Sequence, residues 1–142
     1  MNEYCMNDIY AGMHATFQKA ITPEMENAFR EITGDINPLH LDDSFAAQIG
    51  NGKFPSHVTF GMLTASLYST LAGVYLPGKY SLIHSLEEIK FLKPVFSGDT
   101  LTVRGEVTDI DNGLNLLRLK VSIKNQRDQY VSKAIMKVLV LK

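Results

Sequence analysis

Three features of this sequence predict an α+β domain in which an antiparallel sheet curls around one buried helix. They are a charge-free apolar helix in mid-chain, four alternating strands after it, and a strand with short capped helices before it. The segment 54–78 contains no Asp, Glu, Lys or Arg. Within it, Gly61 to Leu76 reads as a helix whose apolar residues, Met62, Leu63, Leu67, Tyr68, Leu71 and Val74 among them, lie all round the axis. Such a helix must be wrapped by other structure. From Ser81 onward the pattern gives strands at approximately 81–92, 100–110, 115–125 and 129–141, with alternation clearest in 101–107 and 117–123. Asp111-Asn112-Gly113 and the stretch Asn125 to Asp128 are hairpin-type turns.

Before the long helix, Thr16 to Ile21 reads as a first strand. Thr22-Pro23-Glu24 then opens a helix: Thr as N-cap, Pro at the first helical position, an acid in the first turn. Met25, Phe29 and Ile32 form its apolar stripe and Gly34 its C-terminal cap. Asp42 or Asp43 is expected to cap a second short helix carrying Phe45, Ala46 and Ile49, ended by Gly50-Asn51-Gly52. No repeat or linker divides the chain, so one domain is expected over 1–142.

Composition narrows the function. Lys and Arg number 14 against 15 Asp and Glu, a net charge of −1. That gives no basic excess for nucleic acid. A single cysteine, Cys5, excludes an intramolecular disulfide and agrees with a reducing cytoplasm. It lies near a terminus expected to fray. The charge-free run is interrupted by His57, Thr59, Thr64, Ser66, Ser69 and Thr70, so it reads as a buried helix and not a membrane span. The first ten residues lack the basic and apolar regions of a signal peptide. His14, His57 and His84 show no ligand spacing, and His40 with Asp42 or Asp43 falls short of four ligands, so no metal is expected.

The stretch richest in chemistry is Asp35-Ile36-Asn37-Pro38-Leu39-His40. A helix would separate its acid and imidazole by about 140° around the axis. Pro38 disfavours helical geometry at Asn37, so the segment is an irregular connection whose side chains can converge for proton transfer to or from water. Taken singly, Asp35 also reads as a turn residue and His40 as a hydrogen-bonded loop histidine.

Gly34-Asp35-Ile36-Asn37-Pro38-Leu39-His40, Gly61-Met62-Leu63 and Lys93-Pro94-Val95-Phe96-Ser97-Gly98-Asp99 together resemble the MaoC-like dehydratases, in particular the R-specific enoyl-CoA hydratases. The resemblance runs from about Phe17 to Val140. It implies the hotdog fold. It also implies that Asp35 and His40 hold one water for addition across a trans-2-enoyl thioester, with Asn37 orienting the segment. The backbone N–H of Gly61 would stabilise the thioester oxyanion, and Ser69 would line the substrate site. The reaction would need no cofactor beyond the coenzyme A or acyl carrier protein of its substrate. A homodimer is implied as well.

Two features depart from the family pattern. Phe60 stands where relatives usually have His, and the loop from Gly50 to Phe60 is longer than usual. His57 is a candidate for the space of that imidazole. Rival functions are a hotdog thioesterase, disfavoured because no acid lies between Lys53 and Lys79, and a non-catalytic acyl-binding subunit, for which Phe60 is the hint. Ser69 is equally readable as a buried hydroxyl bonded back to its own helix.

Overall fold

Alternation along three long strands builds the inner face of the sheet. The computed structural model describes every residue, Met1–Lys142. Leu101, Val103 and Val107 of β3 (Thr100–Asp111), Leu117, Leu119, Val121 and Ile123 of β4 (Leu116–Lys124), and Ala134, Met136 and Val138 of β5 (Tyr130–Val140) are buried. Their neighbours in sequence face outward, as the two-residue period requires. β1 (His14–Ala20) pairs with β3, and β2 (Ser81–Phe91) pairs with β5. The sheet is therefore antiparallel throughout, in the order β1-β3-β4-β5-β2, with β1 and β2 at its edges.

Three helices follow the predicted plan. Thr22 caps α1 (Pro23–Thr33), its Oγ1 accepting from Met25 N–H at 3.3 Å, and Gly34 ends it in the left-handed conformation at φ 71°. Asp42 caps α2 (Asp43–Ile49) through Phe45 N–H at 3.0 Å. The central helix α3 (Gly61–Thr70) continues into a π turn, Leu71–Tyr75. Leu67, Tyr68, Leu71 and Ala72 pack into the core against the sheet. A Cβ at Gly105 would lie 2.6 Å from Leu71 Cδ2, so the helix approaches β3 this closely because the strand has no side chain there. Tyr68 Oη donates to Ser132 Oγ at 2.9 Å, joining α3 to β5 inside the core. Burial, opposed by that bond, pushes the Tyr68 phenol up to about 12. This is the hotdog arrangement.

Several expectations need correction. Ile32 is 81% exposed and Ile49 60%, so the apolar stripes of α1 and α2 are only partly covered; the residue α1 buries instead is Glu26. α3 is not wrapped on all sides, because Met62 is 61% exposed and Ser66 and Ser69 continue that open stripe along the helix. The N-terminus does not fray. Asn2 N–H donates to the Val74 carbonyl at 2.8 Å and Met6 N–H to the Lys142 carbonyl at 3.1 Å. No helix is long and apolar enough to cross a membrane.

Candidate active site

The connection after α1 is built from side chains that fold back on their own backbone. Asp35 Oδ1 accepts from Asn37 N–H at 3.0 Å, and Asn37 Oδ1 accepts from Leu39 N–H at 3.0 Å. Asn37 thereby caps the short 3-10 turn Pro38–His40, whose fixed proline φ suits the first position. These local bonds compete with helix continuation and set the angle at which His40 leaves the backbone.

His40 is fixed at one nitrogen. Its Nδ1 lies 2.7 Å from the Val58 carbonyl oxygen. A carbonyl can only accept, so Nδ1 carries the proton and the neutral ring presents Nε2 as a base. The ring packs on Phe60 with centroids 4.5 Å apart, and Phe60 in turn packs on Phe29 at 5.2 Å. At the position where an imidazole was the expected residue, a fully buried aromatic wall supports His40.

His40 and Gly61 line one cavity of about 220 Å³, closed by Phe91 to Val95 on the far side. Gly61 opens α3, and its N-cap Phe60 offers no side-chain acceptor to the first-turn amides. Free N–H groups and the positive end of the helix dipole therefore meet at this wall. A Cβ on residue 61 would sit 3.3 Å from the Phe91 ring, so glycine keeps the approach to that amide open. Thr64, one turn on, also lines the cavity, and its Oγ1 is a buried side-chain oxygen with no hydrogen-bond partner in the chain.

Of the five predicted residues, the cavity thus unites His40 and Gly61. Asp35 and Asn37 lie on the exposed connection beside it, and Ser69 lines a second cavity of about 510 Å³ on another face of α3, walled mainly by apolar residues such as Phe29, Leu86 and Met136. Ser66, not Ser69, bonds back to the helix, donating to the Leu63 carbonyl at 2.6 Å.

His57 does not occupy the space of the missing imidazole. Its Nδ1 is 2.6 Å from Asp43 Oδ1 and its Nε2 is 3.1 Å from Glu26 Oε2. The other Glu26 oxygen accepts from Thr59 Oγ1 at 2.6 Å. Burial of the ring lowers the His57 pKa, but the hydrogen bonds and charges of Asp43 and Glu26 outweigh it and raise it above the usual value. The His57 backbone N–H, then its ring, hold Asp43 below the ordinary carboxylate range.

A family model described as MaoC like domain matches residues 8–127. The chain belongs to the MaoC-like family. Among its relatives, the (R)-specific enoyl-CoA hydratase of Aeromonas caviae is 38% identical over 115 residues, covering 81% of this chain and 83% of that protein. The 3-hydroxybutyryl-CoA dehydratase of Methylorubrum extorquens is 34% identical over 103 residues, 72% of this chain and 63% of that protein. The solved (R)-hydratase of A. caviae involved in PHA biosynthesis superposes with a TM-score of 0.85 at 33% identity, covering 93% of this chain and 97% of that one. R-hydratase PhaJ1 of Pseudomonas aeruginosa, solved unliganded, gives a TM-score of 0.88 at 26% identity, covering 97% and 86% respectively.

Sequence reasoning missed three parts of this MaoC-like site. Thr64 was read only as an interruption of an apolar run, although its spacing of three from Gly61 puts both on one helix face. Glu26, which clamps the segment through His57 and Thr59, was not singled out among the acids of α1. Val58, which fixes the His40 tautomer through its backbone, leaves no side-chain signal at all.

Proposed function

We propose that this chain is a hydro-lyase that reversibly adds water across a trans-2-enoyl thioester of coenzyme A or acyl carrier protein, giving the (R)-3-hydroxyacyl thioester. The observation that carries the reading is a single one. A histidine with a free Nε2 and the uncapped start of a helix face the same small cavity, in a chain similar along most of its length to an (R)-specific enoyl-CoA hydratase.

In this reading His40 Nε2 takes a proton from water as the oxygen bonds to C3. The C2–C3 π electrons move toward the thioester oxygen, which gathers charge where the Gly61 amide and the helix dipole stabilise it. C2 then takes that proton back from His40 Nε2, which restores the neutral ring, and dehydration runs the same steps backward. Asp35 is assigned as the second group on the water, through the carboxylate oxygen that Asn37 N–H leaves unoccupied. Asn37 orients the turn. The open cavity lined by Ser69 and Met136 suits the acyl chain, and Thr64 offers a hydroxyl to the thioester end. No cofactor beyond the thioester carrier is required. A homodimer is part of the same reading, because β2 is an unpaired edge and the stripe from Met62 to Ser69 beside it is open. A cytoplasmic location agrees with the chemistry.

The test is to incubate the pure protein with crotonyl-CoA, following enoyl absorbance and free thiol together. Loss of enoyl without thiol is expected; thiol release would make it a thioesterase. His40→Ala and Asp35→Asn are each expected to lower the rate by about 10²–10⁴-fold with an unchanged circular dichroism spectrum. A variant that keeps the wild-type rate removes that residue from the mechanism.

A further inference from the structure

Glu26 is a carboxylate of α1 that the fold buries to 6% exposure, and both of its oxygens face one short segment of chain. Oε1 accepts from Thr59 Oγ1 at 2.6 Å, and Oε2 lies 3.1 Å from His57 Nε2. Val58 stands between those two residues and pairs with Phe96 in an isolated antiparallel bridge. In extended backbone the side chains of 57 and 59 point to one face and that of 58 to the other. One carboxylate therefore holds the segment on either side of the residue whose carbonyl meets His40 Nδ1 at 2.7 Å. The Val58 N–H donates to the Leu39 carbonyl at 2.9 Å, so the backbone of residue 58 meets the His40 turn twice.

The other nitrogen of the His57 ring brings in α2. Nδ1 lies 2.6 Å from Asp43 Oδ1, which also accepts from the His57 backbone N–H at 2.8 Å. Glu26 from α1 and Asp43 from α2 are the charged groups that face this ring. A carboxylate oxygen only accepts, so both contacts are hydrogen bonds when the ring carries a proton on each nitrogen. The imidazolium thus ties together the two helices that flank the His40 turn in the chain. A neutral ring would turn one lone pair toward a carboxylate and break one of the two ties. Phe29, three residues after Glu26, supports the Phe60 ring on which His40 packs. One face of α1 therefore supports both the His40 ring and the carbonyl that sets its tautomer.

We propose that Glu26 and His57 are positioning residues: as an ion pair they hold the Val58 carbonyl against His40 Nδ1 and so keep Nε2 unprotonated for water. Neither side chain lines the cavity of His40 and Gly61. Their effect passes through the backbone, and its catalytic consequence rests on the hydratase reading. A base in the wrong tautomer presents an N–H where a lone pair is needed, and loses rate without losing substrate. The pH dependence has a definite sign. The raised pKa of His57 keeps the clamp charged to a pH above the ordinary histidine range, and the clamp opens as pH rises through that value. The alkaline side of the kcat profile then reports a histidine that touches no substrate.

The experiment reads the His40 ring directly, by imidazole nitrogen NMR of histidine-labelled protein without substrate, beside turnover of crotonyl-CoA across neutral and alkaline pH. The variants are Glu26→Gln and His57→Gln. Glu3→Gln is the control, removing a carboxylate paired with Lys79 away from both cavities. In the wild type His40 is expected to carry its proton on Nδ1, and to lose that preference as His57 titrates, with kcat falling in step. In both variants the proton should spread over the two nitrogens, with kcat lower by about ten-fold or more and KM within about two-fold. His57→Gln should also lose the alkaline fall, and Glu3→Gln should match the wild type. His40 keeping its Nδ1 proton in both variants, or an alkaline fall that survives in His57→Gln, would overturn the proposal. Equal effects from Glu3→Gln would overturn it too. If Glu26→Gln does not fold, His57→Gln and the wild-type titration decide the matter. If the tautomer shifts as expected while crotonyl-CoA is never hydrated, the positioning stands and the hydratase reading fails.

Discussion

Val58 contributes nothing through its side chain to the chemistry, yet its carbonyl decides which nitrogen of His40 is available. The segment that carries it is anchored on both sides. Thr59 N–H donates to the Val95 carbonyl at 2.8 Å and His57 bridges Glu26 and Asp43. This clamp titrates. Because the folded His57 pKa is raised, its stabilisation is complete below the unfolded histidine value of about 6.5. It is lost as pH rises through the higher folded value. Asp43 has the opposite sign: its contribution is present above the ordinary carboxylate pKa and disappears as pH falls through the depressed one. His57→Gln should therefore cost about 1 kcal/mol, or about 3 °C in Tm, in mildly acidic solution. The difference from wild type should shrink as pH is raised beyond neutrality. A difference that stays constant from pH 5 to pH 9 would show that the bridge contributes no charge-dependent stability. The sequence made Asp35 and His40 visible because acid, Asn-Pro break and imidazole are contiguous. The clamp was invisible because its members are 31 and 14 positions apart in the chain.

At the level of elements, the four strands after α3 were readable to within one residue at their ends, since a period of two is a local property that burial of one face enforces. β1 starts two residues before the expected Thr16. Helix faces were harder. Periodicity says that Ile32 and Phe29 share a side of α1, not that the sheet reaches both. In α3 the apolar residues all round the axis implied complete wrapping, whereas the fold buries one side and leaves Met62 and Ser69 open. The buried side is held by a polar pair as well as by packing. Tyr68→Phe removes the donor to Ser132 Oγ in a site where Ser132 is 0% exposed, and is expected to cost about 1–3 kcal/mol in denaturant unfolding. An unchanged midpoint would mean that the Ser132 oxygen finds another donor.

For the whole molecule, the unpaired β2 edge and its apolar flank bear on association. Leu82 is 53% exposed and Ile83 39%, close to the open stripe of α3. An edge strand with exposed apolar side chains is a template for pairing with another copy. Sedimentation is expected to give twice the chain mass, and Leu82→Lys to weaken self-association by about ten-fold or more. A wild-type monomer at micromolar concentration would rule the pairing out. Nothing in the one-dimensional pattern distinguishes a strand covered by its own chain from one left for a second copy, so the expected homodimer stood on the edge that a lone curled sheet exposes and on family resemblance, not on periodicity.

The first turns of α3 carry one further consequence. Gly61 and Thr64 face the cavity of His40, while Met62, Ser66 and Ser69 face the apolar cavity about 120° away, and the two share no lining residue. A substrate that crosses the start of this helix from one cavity to the other meets two separate sets of side chains, which makes two kinds of selectivity separable. Substitutions that resize the Ser69 side and substitutions at Phe91 or Leu92 on the His40 side should combine additively in free energy. Acyl length and fit around the reacting thioester would then be two independent dials for redesigning one enzyme.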